Sequence, residues 1–336
     1  MEDPKSAAER LHQALFGKNK EETCTDIIIN NDLEHRLLIA KKYGELYGNP
    51  LYEDMKSKLG GNYKELCGYC FLTPMEFNAK MLKRGFKGLS VDEQIIFEIL
   101  ANHTLEEYKQ IEEAYKTETG RELRKDIEKN FNGSLKKDII CLISNERRVN
   151  DQPDKNECER LADLLINAGE KHWIDDENIF RDVFVLTSPE EMVLIGRYYF
   201  KKTGVLLIDT IEKKLSSKAK TLLREIVFAN IIPHELFAEK IYLSIKGLGT
   251  NTALLNRVLA SRHGVDMPQI KEIYKWKYKI SLKDGIGLFE WPDGKKYKGE
   301  WKNGKQHGFG EYYDPNENIW KKGYWEYGKR LKWIND

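Results

Sequence analysis

The sequence lacks the features that would assign it to several common classes of protein. It contains no run of about eighteen apolar residues, so we expect no membrane-spanning helix. Its first residues, MEDPKSAAERL, carry acidic side chains and a proline where a secretory peptide needs a basic and then an apolar stretch. The net charge is only +1, and no basic stripe occurs. Charge therefore gives no reason to expect a nucleic acid partner.

Cysteine is scarce, with five residues in a chain of 336. An odd number of cysteines without a secretory signal favours a reducing, cytoplasmic environment. Cys67 and Cys70 have the C-x-x-C spacing of redox sites, but no strand precedes them, so we interpret them as buried thiols of a helix. The histidines show no metal-ligand spacing and no partnered nucleophile. We therefore predict that the protein is not an enzyme and takes no small-molecule substrate.

The sequence does contain an internal repeat of helical character. A tyrosine is followed eight positions later by a leucine at Tyr43/Leu51, Tyr115/Leu123, Tyr199/Leu207 and Tyr274/Leu282. Eleven residues before the first three tyrosines stand the residues Asp32, Thr104 and Ser188, which are good helix N-caps. Glu107 and Glu191 occupy the positions that complete capping boxes. The spacing predicts four units, each built of several short helices.

The most informative stretch covers residues 241–282. Two amphipathic helical patterns flank the turn Lys246-Gly247-Leu248-Gly249-Thr250, and they are followed by Ser261-Arg262, Asp266 and Ser281-Leu282. This ordered set resembles the signature of the annexin family. The resemblance implies a mainly α fold, a curved array of four annexin-like repeats.

The resemblance also implies boundaries for these units. We expect repeats at 1–72, 73–143, 158–232 and 233–286, with a linker at 144–157 and a last repeat that lacks its final helix.

In annexins, carbonyl groups of the glycine turn and a carboxylate about forty residues further on hold Ca²⁺, which bridges to lipid phosphate. Only the fourth repeat keeps the turn, so the resemblance implies at most one calcium site, from carbonyls of Ile245, Gly247 and Gly249. Even this site is damaged, because its carboxylate position falls on Phe289 and the neighbouring Glu290 would have to swing in as the carboxylate. Elsewhere the carboxylate position is Lys58, Asn130 or Lys214. Such degenerate sites resemble those of the alpha-giardins.

Two readings of the lysines follow. Lys58 and Lys214 can contact lipid phosphates directly, which would give membrane binding without calcium. Alternatively, they are solvated or paired with nearby acidic residues. Trp173, in the third turn, can insert into a bilayer interface or fold under its own loop.

The composition changes after Ile286 to Gly, Trp, Tyr and Lys. Tyr297, Gly299, Trp301, Gly304, Gly308 and Gly310 match the pattern of MORN repeats, Y-x-G-x-W-x-x-G-x-x-x-G-x-G. We therefore expect residues 287–336 to form a small antiparallel β sheet of MORN-type hairpins.

The leading hypothesis is peripheral binding to acidic phospholipid membranes with weak or lost calcium dependence, coupled to a MORN scaffold. The alternative is a calcium-independent structural protein of a cytoskeletal assembly, such as a microtubule or ciliary array, with a cytoskeletal protein as partner. Both place the protein in the cytoplasm, at a membrane or the cytoskeleton.

Overall fold

The computed structural model describes residues 2–88, 90–101, 103–145, 152–174, 176–215, 217–246, 249–279, 284–290, 295–302, 305–315 and 317–334, with only the main chain at 217, 219, 279 and 284–290. The chain divides into two compact units. The first comprises Met1–Leu236 and Asn256–Val265, and the second comprises Phe237–Leu255 and Asp266–Asp336.

Short helices make up most of the first unit. The first ten are α1 (Pro4–Phe16), α2 (Lys20–Asn30), α3 (Leu33–Tyr47), α4 (Leu51–Lys58), α5 (Tyr63–Tyr69), α6 (Pro74–Gly85), α7 (Glu93–Leu100), α8 (Leu105–Thr119), α9 (Leu123–Asn130) and α10 (Gly133–Ser144).

The next eight are α11 (Lys155–Ala168), α12 (Glu177–Ile179), α13 (Pro189–Thr203), α14 (Leu207–Lys214), α15 (Ser217–Ile231), α16 (Pro233–Ile245), α17 (Thr252–Arg262) and α18 (Met267–Tyr274). Most of α16, and all of α18, belong to the second unit. A π-helical turn, Phe180–Val185, continues α12, and another, Lys275–Lys279, continues α18.

The predicted helix starts are confirmed. Asp32 caps α3, and Thr104 and Ser188 form capping boxes with Glu107 and Glu191 at the start of α8 and α13. These boxes satisfy main-chain N–H groups that a helix leaves unpaired at its first turn. In the first three tyrosine–leucine pairs the leucine is the first residue of a helix: Leu51 of α4, Leu123 of α9 and Leu207 of α14. Leu282, of the fourth pair, lies outside the described residues.

Three of the repeated tyrosines, Tyr43, Tyr115 and Tyr199, are buried in the core, and two of them also bond to a carboxylate of the next helix. Tyr43 donates its hydroxyl to Asp54 at 2.7 Å, and Tyr115 donates to Asp126 at 2.5 Å, in each case eleven residues further on. The pKa of both tyrosines is raised, first by burial and then by the bonded carboxylate. Each bond ties the end of one helix to the next helix, so the spacing seen in the sequence has a structural cause.

Apolar side chains form two large clusters in this unit. One is built from the α1–α5 segment and includes Leu11, Ile27 and Cys67. The other runs from Tyr69 to Val227. Cys67 and Cys70 are both buried, as predicted, and burial raises the pKa of the Cys70 thiol to about 11. Such thiols stay protonated at neutral pH, when they are poor nucleophiles.

The second unit contains a five-stranded antiparallel sheet whose strands follow one another in chain order. They are β1 (Asp284–Glu290), β2 (Lys296–Lys302), β3 (Lys305–Asp314), β4 (Ile319–Glu326) and β5 (Lys329–Trp333). The predicted MORN-type sheet is thus confirmed.

Glycine determines how the sheet packs. Tyr297 is fully buried, in edge-to-face contact with Trp301 and Trp325. A Cβ atom at Gly310 would lie 2.5 Å from the Tyr297 ring, and one at Gly299 would lie 2.5 Å from the Cα of Gly310. The ring therefore occupies space that only glycine leaves open, which explains Gly299 and Gly310 of the MORN pattern.

Candidate calcium and lipid sites

The fourth turn follows α16 and is partly described. Ile245 is the last residue of α16, and Gly249 has φ +94°, a conformation that favours glycine. The N–H of Asn251 donates to the carbonyl of Ser244 at 2.6 Å, which closes the turn. Gly247 lies outside the described residues. The main chain of Glu290 pairs with Lys296 across β1 and β2, and its side chain is not described. The fourth calcium site therefore stays a prediction.

The side chains that the structure does describe contain no group of three His, Cys, Asp or Glu that could hold a metal ion. Such a group is not the only way to bind Ca²⁺, because main-chain carbonyls supply several of its oxygen ligands in loops of this kind.

In the first repeat, Lys58 lies against the turn that follows α1. Its Nζ is 4.5 Å from the centre of the Phe16 ring, and Lys20 Nζ donates to the Lys58 carbonyl at 3.3 Å. Phe16 is 52% exposed. Two ammonium groups thus surround the place where the family pattern has a carboxylate and a metal. They repel a dication at this position.

In the third repeat, Lys214 at the end of α14 is likewise brought to its turn. Its Nζ lies 2.7 Å from Oε1 of Glu170, in the turn that follows α11. The hydrogen bond from Lys214 lowers the pKa of Glu170, and the same bond raises the pKa of Lys214. The ammonium group therefore supplies the positive charge that calcium would otherwise bring to this turn. The contact matches the alternative in which the lysine pairs with a nearby acid.

Trp173 is fully buried. Its Nε1–H donates to the carbonyl of Leu165 at 3.0 Å, and its ring packs edge-on to Tyr199. A bilayer could reach this ring only if the loop opened. The structure thus has Trp173 folded under its own loop, which is the second of the two arrangements considered from the sequence.

In the second repeat, the position that corresponds to the carboxylate holds an amide. Asn130 donates its side-chain N–H to the carbonyl of Asp126 at 2.7 Å, within its own helix. On the facing turn, Gly88 has φ +127° and Asp92 caps α7 through the N–H of Ile95. The acidic side chain of this turn is therefore engaged in a helix cap.

The residues that contact the two lysines were not identified from the sequence. Phe16 and Glu170 lie 42 and 44 residues before Lys58 and Lys214. This separation is close to the distance of about forty residues that the family pattern requires between turn and carboxylate. The spacing in the sequence therefore indicated which segments would meet, but it does not specify which side chains make contact.

Comparison with known proteins identifies the class. The family model for annexins matches residues 6–68, 77–142 and 236–287, and the MORN repeat model matches residues 297–319. The chain is 31% identical to annexin A3 of Bos taurus over 285 residues, which are 84% of this chain and 88% of that protein. It is 31% identical to annexin A13 of Mus musculus, over 83% of this chain and 88% of that protein. The chain therefore belongs to the annexin family.

Solved structures agree with this assignment. The structure of annexin III aligns with a TM-score of 0.76 at 30% identity, covering 84% of this chain and 88% of that chain. Calcium-bound annexin (Sm)1 aligns with a TM-score of 0.70 at 25% identity, covering 82% of this chain and 83% of that chain. Calcium-bound alpha-14 giardin shares the fold, with a TM-score of 0.70 at 16% identity, over 82% of this chain and 91% of that chain. No described helix is long and apolar enough to cross a membrane.

Proposed function

We propose that this protein binds acidic phospholipid membranes peripherally, with calcium dependence that is weak or lost, and that its MORN sheet serves as a scaffold. Annexins as a family bind phospholipid through calcium. The observation that carries the proposal is the placement of Lys58 and Lys214 at their turns, because each puts a fixed cation where the family relies on bound metal.

Fixed cations can replace the metal only in part. An ammonium group interacts with lipid phosphate as a point charge, whereas Ca²⁺ coordinates several oxygens. Each lysine near an anionic surface strengthens binding about fivefold at ordinary ionic strength. In this proposal Lys214 exchanges its Glu170 partner for lipid phosphate at the membrane. The two lysines would then give about 25-fold together, which is adequate for reversible, salt-sensitive attachment.

Phe16 extends this reasoning. It is half-exposed beside Lys58, so an apolar ring and a cation are presented together at one turn. Aromatic rings favour the membrane interface, where the ring meets acyl chains and the cation meets phosphate. In this proposal, Trp173 would contribute only if its loop opened.

The experiment is co-sedimentation with phosphatidylserine vesicles in the presence of chelator. We expect the Lys58→Ala/Lys214→Ala variant to bind about 25-fold more weakly than wild type, since each substitution removes one positive charge at a turn. The matched control is Lys42→Ala/Lys109→Ala, which removes the same charge from exposed ion pairs on α3 and α8. Equal losses in the two variants would contradict the assignment of these turns.

A second candidate is a calcium-independent scaffold in a cytoskeletal assembly. The sheet favours it, because Trp320, Tyr324 and Phe309 remain between 39% and 45% exposed on a surface that a protein partner could cover. If wild-type protein fails to bind vesicles both with calcium and with chelator, this candidate replaces the membrane proposal.

A further inference from the structure

The last strand of the sheet offers an open edge. β5 ends the strand order, and its first four residues are exposed, with Leu331 at 62%. The N–H of Ile334 donates to the carbonyl of Lys322 at 2.9 Å, and main-chain groups alternate in direction along an antiparallel strand. The N–H and C=O of Trp333 are therefore directed away from β4, toward the open edge. Such groups can pair with an added strand.

This edge is strongly basic. Three of the five residues of β5 are Lys329, Arg330 and Lys332, and residues 295–334 hold ten Lys and Arg against five Asp and Glu, in a chain whose net charge is +1. Two copies of such an edge repel each other, which disfavours pairing with a second copy of this chain. An acidic strand is attracted instead.

A pocket of about 470 Å³ adjoins the same edge on the face that carries Trp325 and Trp333. Arg330 lies 4.3 Å from the centre of the Trp333 ring, and Lys321 lies 5.7 Å from it. The indole ring holds both cations at the pocket by cation–π contacts. This arrangement suits a side chain that carries a carboxylate on a short apolar stem.

The pocket also discriminates between anions. Its lining includes Asp314 and Glu317, and Glu317 forms an ion pair with Lys321. These two carboxylates repel anionic ligands, and the repulsion is greater for a ligand with several negative charges, such as a polyphosphate, than for a single carboxylate. The observations therefore favour an acidic peptide over a phosphorylated headgroup.

We propose that β5 and this pocket dock an extended acidic segment of a partner protein by strand addition. The segment would lie along β5 as a sixth strand, with main-chain hydrogen bonds to Trp333. Arg330 lies opposite Trp325 and Lys332 opposite Tyr324, with a register shift between them, so the two cations are on opposite faces. Two adjacent acidic side chains of the added strand, which also point to opposite faces, would meet Arg330 at the pocket and Lys332 beside the Tyr324 ring, 5.4 Å from its centre. Edge pairing supplies affinity, and the two charged positions supply the preference for an acidic sequence.

The test uses the full-length protein and a fluorescein-labelled peptide in which pairs of adjacent Glu residues are separated by Val, and binding is measured by fluorescence anisotropy. We expect wild type to bind this peptide, but not a version with Lys in place of Glu, nor one with a central proline, which cannot continue a strand ladder. The Arg330→Glu/Lys332→Glu variant should bind about tenfold more weakly or worse. The Lys298→Glu/Lys302→Glu variant changes the charge equally from exposed positions on β2 and should bind like wild type.

Three outcomes would overturn the proposal. If the Glu peptide does not bind to wild type, the basic residues of β5 serve only to prevent pairing between copies of this chain. If peptide binding weakens equally in both variants, the peptide responds to the overall charge of the sheet and not to β5. Loss of phosphatidylserine vesicle binding in the β5 variant, with peptide binding intact, would make this edge a lipid surface. Near-ultraviolet circular dichroism of both variants verifies that the aromatic packing of the sheet is retained.

Discussion

A buried ion pair between α7 and α17 allows a quantitative prediction. Arg257 contacts both carboxylate oxygens of Glu98, with Nε 3.1 Å from Oε1 and Nη2 3.2 Å from Oε2. The side chains are only 5% and 7% exposed, and 159 residues separate them in the sequence. Removing one partner of such a pair leaves a buried charge without compensation, which costs about 3–5 kcal/mol. Since Glu98 makes further interactions, we expect Arg257→Met to cost about 3 kcal/mol of unfolding free energy.

The double variant separates two free energies: the cost of leaving one buried charge without a partner, and the net contribution of the intact ion pair to stability. In Glu98→Gln/Arg257→Met neither charge remains buried, so we expect recovery of about 2 kcal/mol relative to Arg257→Met alone. Urea unfolding at neutral pH, followed by far-ultraviolet circular dichroism, measures both values. Arg124→Met is the control, because Arg124 makes a pair of similar length with Glu128 at 52% and 47% exposure and should lose less than about 0.5 kcal/mol. A loss below about 1 kcal/mol in Arg257→Met, or no recovery in the double variant, would refute the reasoning.

Three further predictions concern packing and pH. Gly310→Ala forces a Cβ atom against the Tyr297 ring and should destabilise the sheet by about 1–3 kcal/mol. Gly44→Ala places a Cβ atom with no other atom within 4 Å and should raise the free energy of unfolding by up to about 1 kcal/mol. Unfolding followed by tryptophan fluorescence measures both changes. Burial raises the pKa of Tyr297 to about 12, whereas an unfolded tyrosine titrates at about 10. The neutral hydroxyl therefore contributes fully to the free energy of unfolding below pH ~10, and this contribution is lost as the pH rises toward ~12. The loss of stability over this pH range, measured by urea unfolding, should be smaller in Tyr297→Phe. Trp173→Phe removes a buried hydrogen bond and should cost about 1–3 kcal/mol by urea unfolding; a cost near zero would contradict the observed packing.

Much of the helical architecture was predictable from the sequence because local chemistry determines it. Asp32, Thr104 and Ser188 were predicted as N-caps from their spacing to a tyrosine, and each one caps a helix. A helix cap depends only on residues within one helical turn, so a local sequence pattern is enough to predict where a helix begins. Long-range contacts differ in this respect. Nothing in the sequence near Glu98 or Arg257 indicates that the two residues meet, because their contact depends on how distant helices pack.

The candidate site was predictable in position but not in detail. The family spacing indicated that Lys58 and Lys214 would stand at their turns, and the structure brings each to its turn. Their partners, Phe16 and Glu170, depend on side-chain rotamers that no pattern specifies. The burial of Trp173 likewise depends on how its loop packs.

The most direct test of the central claim is the calcium dependence of wild-type binding to phosphatidylserine vesicles. Co-sedimentation is measured with calcium and with chelator, for wild type and Glu290→Ala. The account predicts comparable binding of wild type under both conditions, with weakening at high salt because exposed charges are screened. Binding only with calcium, abolished in Glu290→Ala, would contradict it and would show that the fourth turn is a working calcium site.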